Sequence, residues 1–332
     1  MKRPLFVFAG QSNMMGAAVF EASQQIFFDN SFEYLHNRRR LGGPSGEFKT
    51  YGFPTGEFSF KNIVRAYEKR DELTGKSRLK NYRENAWFVS SLSNLKNKDE
   101  RSCYLFEELC EADNKAAPSL PPYVIKGLEE KGVFSAYTHI ARGAVSIDYF
   151  LSGEAADYFD KKVTDFFEDA EKKFQTDDTS DRILVWLQGE SDATKGYEFY
   201  KEKLQSLWEK AKVLGFNKFF IIRVGFWGKE EITDVMRAQE DFCSQNENVF
   251  MITRVCSFMR YQGYDDKDFI TEHNSDEFLY CRDSFYGFKN QHINEKGMKT
   301  IAKYAVPNIL RIFEGKEPLL EEERVFALME GK

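Results

Sequence analysis

The sequence has no apolar run that approaches the roughly 20 residues of a membrane-spanning helix, which argues against an integral membrane protein. It also has no excess of basic residues, because 47 lysines and arginines stand against 53 aspartates and glutamates, a net charge of −6. The charge therefore does not favour binding to nucleic acid. No internal repeat or low-complexity linker interrupts the 332 residues, of which 42% are apolar and 30% charged. This balance is typical of a globular protein.

Residues that commonly bind metals are sparse and dispersed. The chain has five cysteines and four histidines, and neither set has the paired spacing of a zinc site. The sequence therefore predicts no metal and no other cofactor, with the thiols reduced as is usual in the cytoplasm. The cysteines are Cys103, Cys110, Cys243, Cys256 and Cys281, and the histidines are His36, His139, His273 and His292.

The N-terminus carries a short apolar stretch, Leu5–Ala9, after the basic start Met1–Arg3. An export signal needs an apolar region of about 7–15 residues, so this stretch is too short. We interpret Leu5–Ala9 as the first buried strand and expect a cytoplasmic protein with no membrane partner.

The second half of the chain alternates predicted strands and helices. Such alternation, with continuous apolar strands, predicts an α/β fold whose mainly parallel sheet is covered on both faces. Ligands bind at the carboxyl ends of the strands in such sheets. The predicted strands are Phe134–Ile140, Arg182–Leu187, Phe219–Val224 and Val249–Val255. The predicted helices are 153–175, one that carries apolar residues from Tyr197 to Ala211 and stops near Gly215, 230–246 and a last helix that begins near Asn294.

The sequence predicts a single domain over residues 1–315, followed by a tail helix at 316–332. Residues from about 28 to 120 do not follow the alternation, and they include glycine–proline turns at 42–44 and 52–54. We interpret this region as a long mixed insertion after the first helix, in the position of a lid or a rim.

A serine follows the first predicted strand, within the segment Gly10–Gly16 (Gly-Gln-Ser-Asn-Met-Met-Gly). Glycine permits a tight turn there, and the unpaired amides at the start of a helix favour the oxyanion of an acyl transfer. Ser12 is therefore a candidate nucleophile. The alternative is that Ser12 only caps a helix.

The segment Gln188–Asp192 (Gln-Gly-Glu-Ser-Asp) follows another apolar strand. The side-chain amide of Gln188 is suited to donate to an oxyanion, and the carboxylate of Glu190 or Asp192 is suited to orient a histidine. The alternative is that this segment is a helix cap.

A serine hydrolase needs a histidine as a general base near neutral pH. His292 fits best, because it lies in a loop just before the last predicted helix. His139 falls inside an apolar strand, which favours a place in the core. His36 lies beside three arginines and His273 lies in an acidic loop. The alternative for His292 is an exposed loop residue.

Together these segments resemble the SGNH-hydrolase superfamily and, within it, the sialate O-acetylesterase and acetylxylan esterase branch of carbohydrate esterases. The resemblance implies a three-layer α/β/α fold of the SGNH/flavodoxin-like kind. In chain order, the matching segments are Gly10–Met14 (the nucleophile block), His139–Ile147, Gln188–Asp192, Arg237–Gln239 (a weak match) and His292–Gly297 (the block of the catalytic histidine).

The resemblance also implies the roles of the catalytic residues. Ser12 attacks an ester carbonyl, and His292 takes the serine proton. For the carboxylate that fixes the imidazole, Glu190 is the first choice and Asp283 the second. Asp192 is the third choice and is expected to have a structural role.

For the oxyanion hole, we expect the N–H of Ser12, an N–H at Gly143 or Ala144, and the side chain of Gln188. Two positions depart from the family pattern. Ala144 stands where the family has a second glycine, which is tolerable if its φ is negative. Lys289 stands where many members have an aspartate, and a lysine cannot accept a hydrogen bond from the imidazole.

The function implied is a serine esterase that removes O-acetyl groups from a carbohydrate, with no nucleic-acid or membrane partner. Two alternatives stay open. One is a glycan O-acyltransferase that uses the same acyl-serine, and the other is a glycan-binding protein that has lost its catalytic acid. The sequence does not decide which sugar is bound or what the oligomeric state is.

Overall fold

A computed structural model describes residues 3–16, 23–24, 26–35, 46–52, 115–116, 119–175, 180–227, 230–259 and 292–320. Within these ranges, seven strands form one sheet in the order β7-β6-β5-β1-β4-β2-β3. Six of them run parallel and β3 runs antiparallel to β2. The strands are β1 Leu5–Gly10, β2 Phe32–Leu35, β3 Glu47–Lys49, β4 Ala136–Ala141, β5 Arg182–Leu187, β6 Lys218–Ile222 and β7 Val249–Thr253.

Helices cover both faces of this sheet, so the fold is a three-layer α/β/α sandwich, as the sequence predicts. Two short 3₁₀ turns, at Ile147–Phe150 and Glu190–Asp192, follow β4 and β5. None of the described helices combines the length and the apolarity needed to cross a bilayer. The helices are α1 Ser12–Met15, α2 Pro121–Glu129, α3 Glu154–Phe174, α4 Tyr197–Val213, α5 Thr233–Gln245, α6 Val255–Phe258 and α7 Glu295–Phe313.

Aromatic side chains fill the core on the two sides of the sheet. On one face, Phe6 and Phe220 contact Phe313 of α7, with ring centroids 6.3 and 6.4 Å apart. On the opposite face, Phe219 contacts Phe242 of α5 at 5.8 Å. Neighbouring residues of one strand thus pack into different helical layers, which is why the strands are apolar at nearly every position.

The predicted alternation is confirmed, with small shifts at the strand ends. The strand predicted at Phe134–Ile140 begins at Ala136, and the strand predicted to reach Val224 ends at Ile222. The N–H of Val224 donates to the Gln239 side chain instead of to a neighbouring strand, at 3.0 Å. The strand β6 therefore ends where the Gln239 side chain, rather than a neighbouring strand, accepts the backbone hydrogen bond.

The region interpreted as an insertion contains part of the central sheet. β2 and β3 both fall within residues 28–120, and β2 pairs in parallel with β4. Residues 53–114, most of the predicted insertion, lie outside the described residues, as do residues 321–332 of the predicted tail. Residues 316–320 of that tail are not helical.

Candidate active site

The three central strands β4, β1 and β5 end side by side at one edge of the sheet. Gly10, the last residue of β1, is level with Ala141 of β4 and with Leu187 of β5. The residues that follow these strands are therefore neighbours, although more than 170 positions of sequence separate Gly10 from Leu187. This edge carries Ser12, the Gly143–Ala144 segment and Glu190, where a parallel sheet is expected to bind ligands.

Two glycines allow these strand ends to approach closely. Gly10 has a φ of +152°, and a Cβ added there would lie 2.0 Å from the carbonyl oxygen of Leu187. Gly189 has the same φ, and its Cβ would lie 2.6 Å from Val235 Cγ1. Each position therefore requires glycine for its backbone conformation and for space.

Ser12 is the first residue of α1 and is 6% exposed. The N-cap position belongs to Gln11, which makes no capping bond with its side chain. The alternative in which Ser12 only caps the helix is therefore wrong. The Gln11 side chain instead accepts a hydrogen bond from the N–H of Ser191 at 3.1 Å, which joins the loops after β1 and β5.

Asn13 connects all three candidate segments. Its side-chain Nδ2 donates to Glu190 Oε1 at 2.6 Å, and its Oδ1 accepts from the N–H of Ile293 at 3.0 Å. Asn13 directly follows Ser12, and Ile293 directly follows His292. The buried Asn13 amide, next to the candidate nucleophile, is thus bonded both to the candidate acid Glu190 and to the residue that follows the candidate base His292.

The Glu190 side chain is buried and bound on one side. While Oε1 accepts from Asn13, the second oxygen, Oε2, is buried and has no hydrogen-bond partner among the described residues. The pKa of Glu190 is raised because burial, the largest effect, outweighs the stabilisation of the carboxylate by Asn13 and by the backbone N–H groups of Glu190 and Gly189. Oε2 is thus a buried acceptor that is still available.

His292 is buried, with 8% of its surface exposed. The alternative of an exposed loop histidine is therefore wrong. Burial lowers the pKa of His292 to about 4, so the imidazole is neutral at pH 7. The same burial makes it a weaker base, so a nearby carboxylate is needed to stabilise the imidazolium.

Two residues after His292, Asn294 Oδ1 accepts from the N–H of Gly297 at 3.0 Å, which confirms Asn294 as the N-cap of α7.

Gln188 lies at the site, but its side chain is engaged on all sides. Its Nε2 donates to the carbonyl oxygen of Val145 at 3.1 Å and to Asp192 Oδ2 at 2.6 Å. Its Oε1 lies 2.9 Å from the Tyr200 hydroxyl, whose single hydrogen is directed at the backbone carbonyl oxygen of Gln188 at 2.5 Å. An amide nitrogen has two hydrogens, so in this arrangement neither is directed at a substrate.

Asp192 is fully buried and holds two loops together. Its Oδ2 accepts from Gln188 and from the N–H of Ile147 at 2.8 Å, in the loop after β4. Lys195 lies 3.2 Å from its Oδ1. These contacts agree with the structural role expected for this carboxylate.

Ala144 has a φ of +56°, in the left-handed region. The condition under which alanine is tolerable here, a negative φ, is therefore not met. The glycine that the family pattern places here would adopt this conformation freely, whereas alanine is strained by about 1–2 kcal/mol. Alanine has the same backbone N–H as glycine, so Ala144 retains the donor expected for the oxyanion hole.

The remaining candidates lie elsewhere or outside the described residues. His139 is half-buried in β4. Asp283, the second choice for the acid, lies outside the described residues together with Lys289, His36 and His273.

Sequence reasoning assigned no role in the site to Asn13, Tyr200 or Gln239, although Asn13 and Gln239 fall within segments that match the family pattern. Gln239 Nε2 donates to the carbonyl oxygen of Gln188 at 3.0 Å, and the Tyr200 hydroxyl donates to the same oxygen at 2.5 Å. One signal was available for Gln239, because it is a polar residue on the buried face of α5. Such a residue must find hydrogen-bond partners inside the protein.

No protein-family model matches this chain, and no curated protein matches it. Among solved structures, a protein from Arabidopsis thaliana is similar with a TM-score of 0.52 and 12% identity, covering 94% of this chain and 100% of that chain. NanS is similar with a TM-score of 0.53 and 11% identity, covering 95% and 98%. A carbohydrate acetylesterase from Xanthomonas citri is a weaker match, with a TM-score of 0.45 and 10% identity, covering 94% and 57%. The first two similarities show the fold that this chain shares with them.

Proposed function

We propose that the protein is a serine esterase that removes O-acetyl groups from a carbohydrate through an acyl-enzyme intermediate. The observation that carries the proposal is the pair of hydrogen bonds made by Asn13, the residue after Ser12. One bond goes to Glu190 and the other to Ile293, the residue after His292. A hydroxyl, an imidazole and a carboxylate are the three groups that a serine hydrolase needs.

In the first step, Ser12 Oγ attacks the ester carbonyl and forms a bond to the acyl carbon. His292 takes the serine proton and gives it to the ester oxygen of the sugar as the bond between the acyl carbon and that oxygen breaks, so the sugar leaves with a free hydroxyl. In the second step, His292 takes a proton from water, the water attacks the acyl carbon, and the proton returns to Ser12 as acetate leaves.

Glu190 is the proposed carboxylate of the triad. It is buried, its Oε1 is fixed by Asn13, and its Oε2 remains an acceptor. A carboxylate in this role orients the imidazole and stabilises its cation. This stabilisation matters here, because burial disfavours the charged form of His292.

The proposed oxyanion donors are the backbone N–H groups of Ser12 and of Gly143 or Ala144. Gln188 was also expected to donate, but it would have to release one of its two hydrogen bonds to Val145 and Asp192 to do so. We therefore give Gln188 a supporting role, in which it ties the loop after β5 to the loop after β4.

The carbohydrate substrate rests on the family resemblance of the sequence. The test is acetate release from a panel of O-acetylated monosaccharides and polysaccharides by the wild-type protein and by Ser12→Ala. We expect release from at least one carbohydrate by the wild type and none by Ser12→Ala. Binding of the sugars without acetate release would contradict an esterase and favour a glycan-binding protein. Transfer of the acetyl group to an added acceptor sugar would favour a transferase.

A further inference from the structure

We propose that Asn13 is a positioning residue, whose side-chain amide holds the Glu190 carboxylate and the backbone beside His292 in a fixed relation to Ser12. The inference rests on the proposed function and adds to it a residue that is not a member of the triad. Asn13 is 2% exposed and forms both hydrogen bonds inside the protein.

The two bonds require an amide rather than another polar group. Glu190 presents an acceptor and therefore needs a donor opposite it, while the N–H of Ile293 needs an acceptor. The asparagine side chain supplies one of each from a single rigid plane. An aspartate keeps the acceptor but lacks the donor, and a leucine of similar size has neither.

The position of Asn13 lets it set the distance between the reacting groups. It lies in α1 immediately after Ser12, so a bond to Ile293 fixes the loop of His292 against the nucleophile. On the other side of the loop, the N-cap Asn294 holds the start of α7. A displacement of about 1 Å between reacting groups lowers a rate by roughly 10²-fold.

Asn13 also selects which oxygen of Glu190 is left to accept a further bond. Because Nδ2 binds Oε1 at 2.6 Å, the carboxylate cannot rotate freely, and Oε2 is the oxygen that remains. Loss of this bond frees the carboxylate to turn and leaves a buried charge with fewer partners, which is costly.

The first test compares Asn13→Leu with the wild type on an ester that the wild type hydrolyses. We expect kcat to fall by about 10²-fold and KM to change by less than about threefold, because Asn13 does not contact the substrate in this account. Circular dichroism and thermal unfolding establish whether the variant is folded.

The second test uses Asn13→Asp, which places a carboxylate oxygen opposite Glu190 Oε1. Two carboxylates this close share one proton. At acidic pH this proton restores a hydrogen bond between residue 13 and Glu190, and at alkaline pH the proton and the bond are lost. We expect the ratio of variant to wild-type kcat to approach one at acidic pH and to fall by at least tenfold as the pH rises. This readout also decides the question if Asn13→Leu does not fold.

Asn308 offers a matched control away from the site. It is also a buried asparagine that joins two backbone segments, since its Nδ2 donates to the carbonyl oxygen of Ile252 at 3.0 Å and its Oδ1 accepts from the N–H of Leu319 at 2.8 Å. We expect Asn308→Leu and Asn308→Asp to lower the unfolding temperature and to leave kcat and the pH-dependent ratio unchanged.

The outcomes separate this inference from the proposed function. If the wild type is active, Ser12→Ala is inactive, and the Asn13 variants keep wild-type kcat with a ratio that is flat in pH, the esterase stands and the role of Asn13 is refuted. If the Asn308 variants reproduce the same pH-dependent loss, the role is likewise refuted. If the wild type hydrolyses no ester, both proposals fail.

Discussion

Glu190 is the residue that decides how the proposed triad is completed. Its buried Oε2 favours it as the acid, whereas Asp283 was the second choice from the sequence. We predict that Glu190→Gln lowers kcat by roughly 10⁴-fold, as loss of a triad acid does, and that Asp283→Asn has little effect. Steady-state kinetics of the two variants provide the comparison. A collapse of activity in Asp283→Asn with nearly normal Glu190→Gln would transfer the role to Asp283.

The burial of His292 predicts an unusual titration. Its pKa is lowered to about 4 by burial, whereas the unfolded chain has a histidine pKa of about 6.5. We predict that the His292 ring is neutral at pH 6 and titrates well below pH 6.5, as followed by the NMR shifts of its ring protons. A midpoint at pH 6.5 or above would contradict the prediction, because it would require the imidazolium to be stabilised enough to offset the effect of burial.

The same shift predicts how stability depends on pH. Between about pH 6.5 and 4, the unfolded chain binds a proton at this histidine that the folded chain does not, so folding stability is lost as the pH falls through this window. Over this window, the free energy of unfolding should therefore change more steeply with pH in the wild type than in His292→Gln. That variant lacks the titrating group and serves as the control.

Ala144 carries local backbone strain at the proposed oxyanion loop. Its φ of +56° is costly for alanine and free for glycine, although glycine also gives the unfolded chain more freedom. We predict that Ala144→Gly raises the free energy of unfolding by about 0.5–1 kcal/mol, the difference between these effects. Chemical denaturation measures it, and a loss of stability would place φ outside the left-handed region.

At the scale of elements, α7 is aligned by its N-cap. Asn294 Oδ1 accepts from the N–H of Gly297, and removal of such a cap costs about 1 kcal/mol. We predict that Asn294→Ala lowers the free energy of unfolding by about this amount, whereas Asn294→Ser largely keeps it. Equal losses in the two variants would indicate that the capping bond is not what stabilises the start of this helix.

The elements that the sequence predicts well are a continuous apolar run of strand length and a helix with a clear 3.6-residue period. Arg182–Leu187 is observed at the predicted bounds, and the helix predicted at 153–175 is observed at Glu154–Phe174. Both have strong apolar patterns that tertiary packing does not override. The strand Phe32–Leu35 was not recognised, because its Phe-Glu-Tyr-Leu sequence places a charged residue in a buried strand.

At the scale of the whole molecule, the sequence could predict which segments make up the candidate site but not how their side chains touch. Ser12, Glu190 and His292 each lie at the end of a strand or just before a helix, and that position could be inferred. The bridge through Asn13 and the engaged side chain of Gln188 depend on side-chain directions across segments up to 280 residues apart. No local pattern carries that information, so Gln188 was expected to donate to an oxyanion although it binds Val145 and Asp192.

The central claim is that these remote segments fold into one site that activates Ser12. The most direct test is covalent labelling with a serine-directed fluorophosphonate, located by mass spectrometry of the digested protein. We predict one label per chain, on Ser12, which is absent in Ser12→Ala and forms at least about 10³-fold more slowly in His292→Ala. No labelling of the wild type, or labelling at another residue that persists in Ser12→Ala, would contradict it.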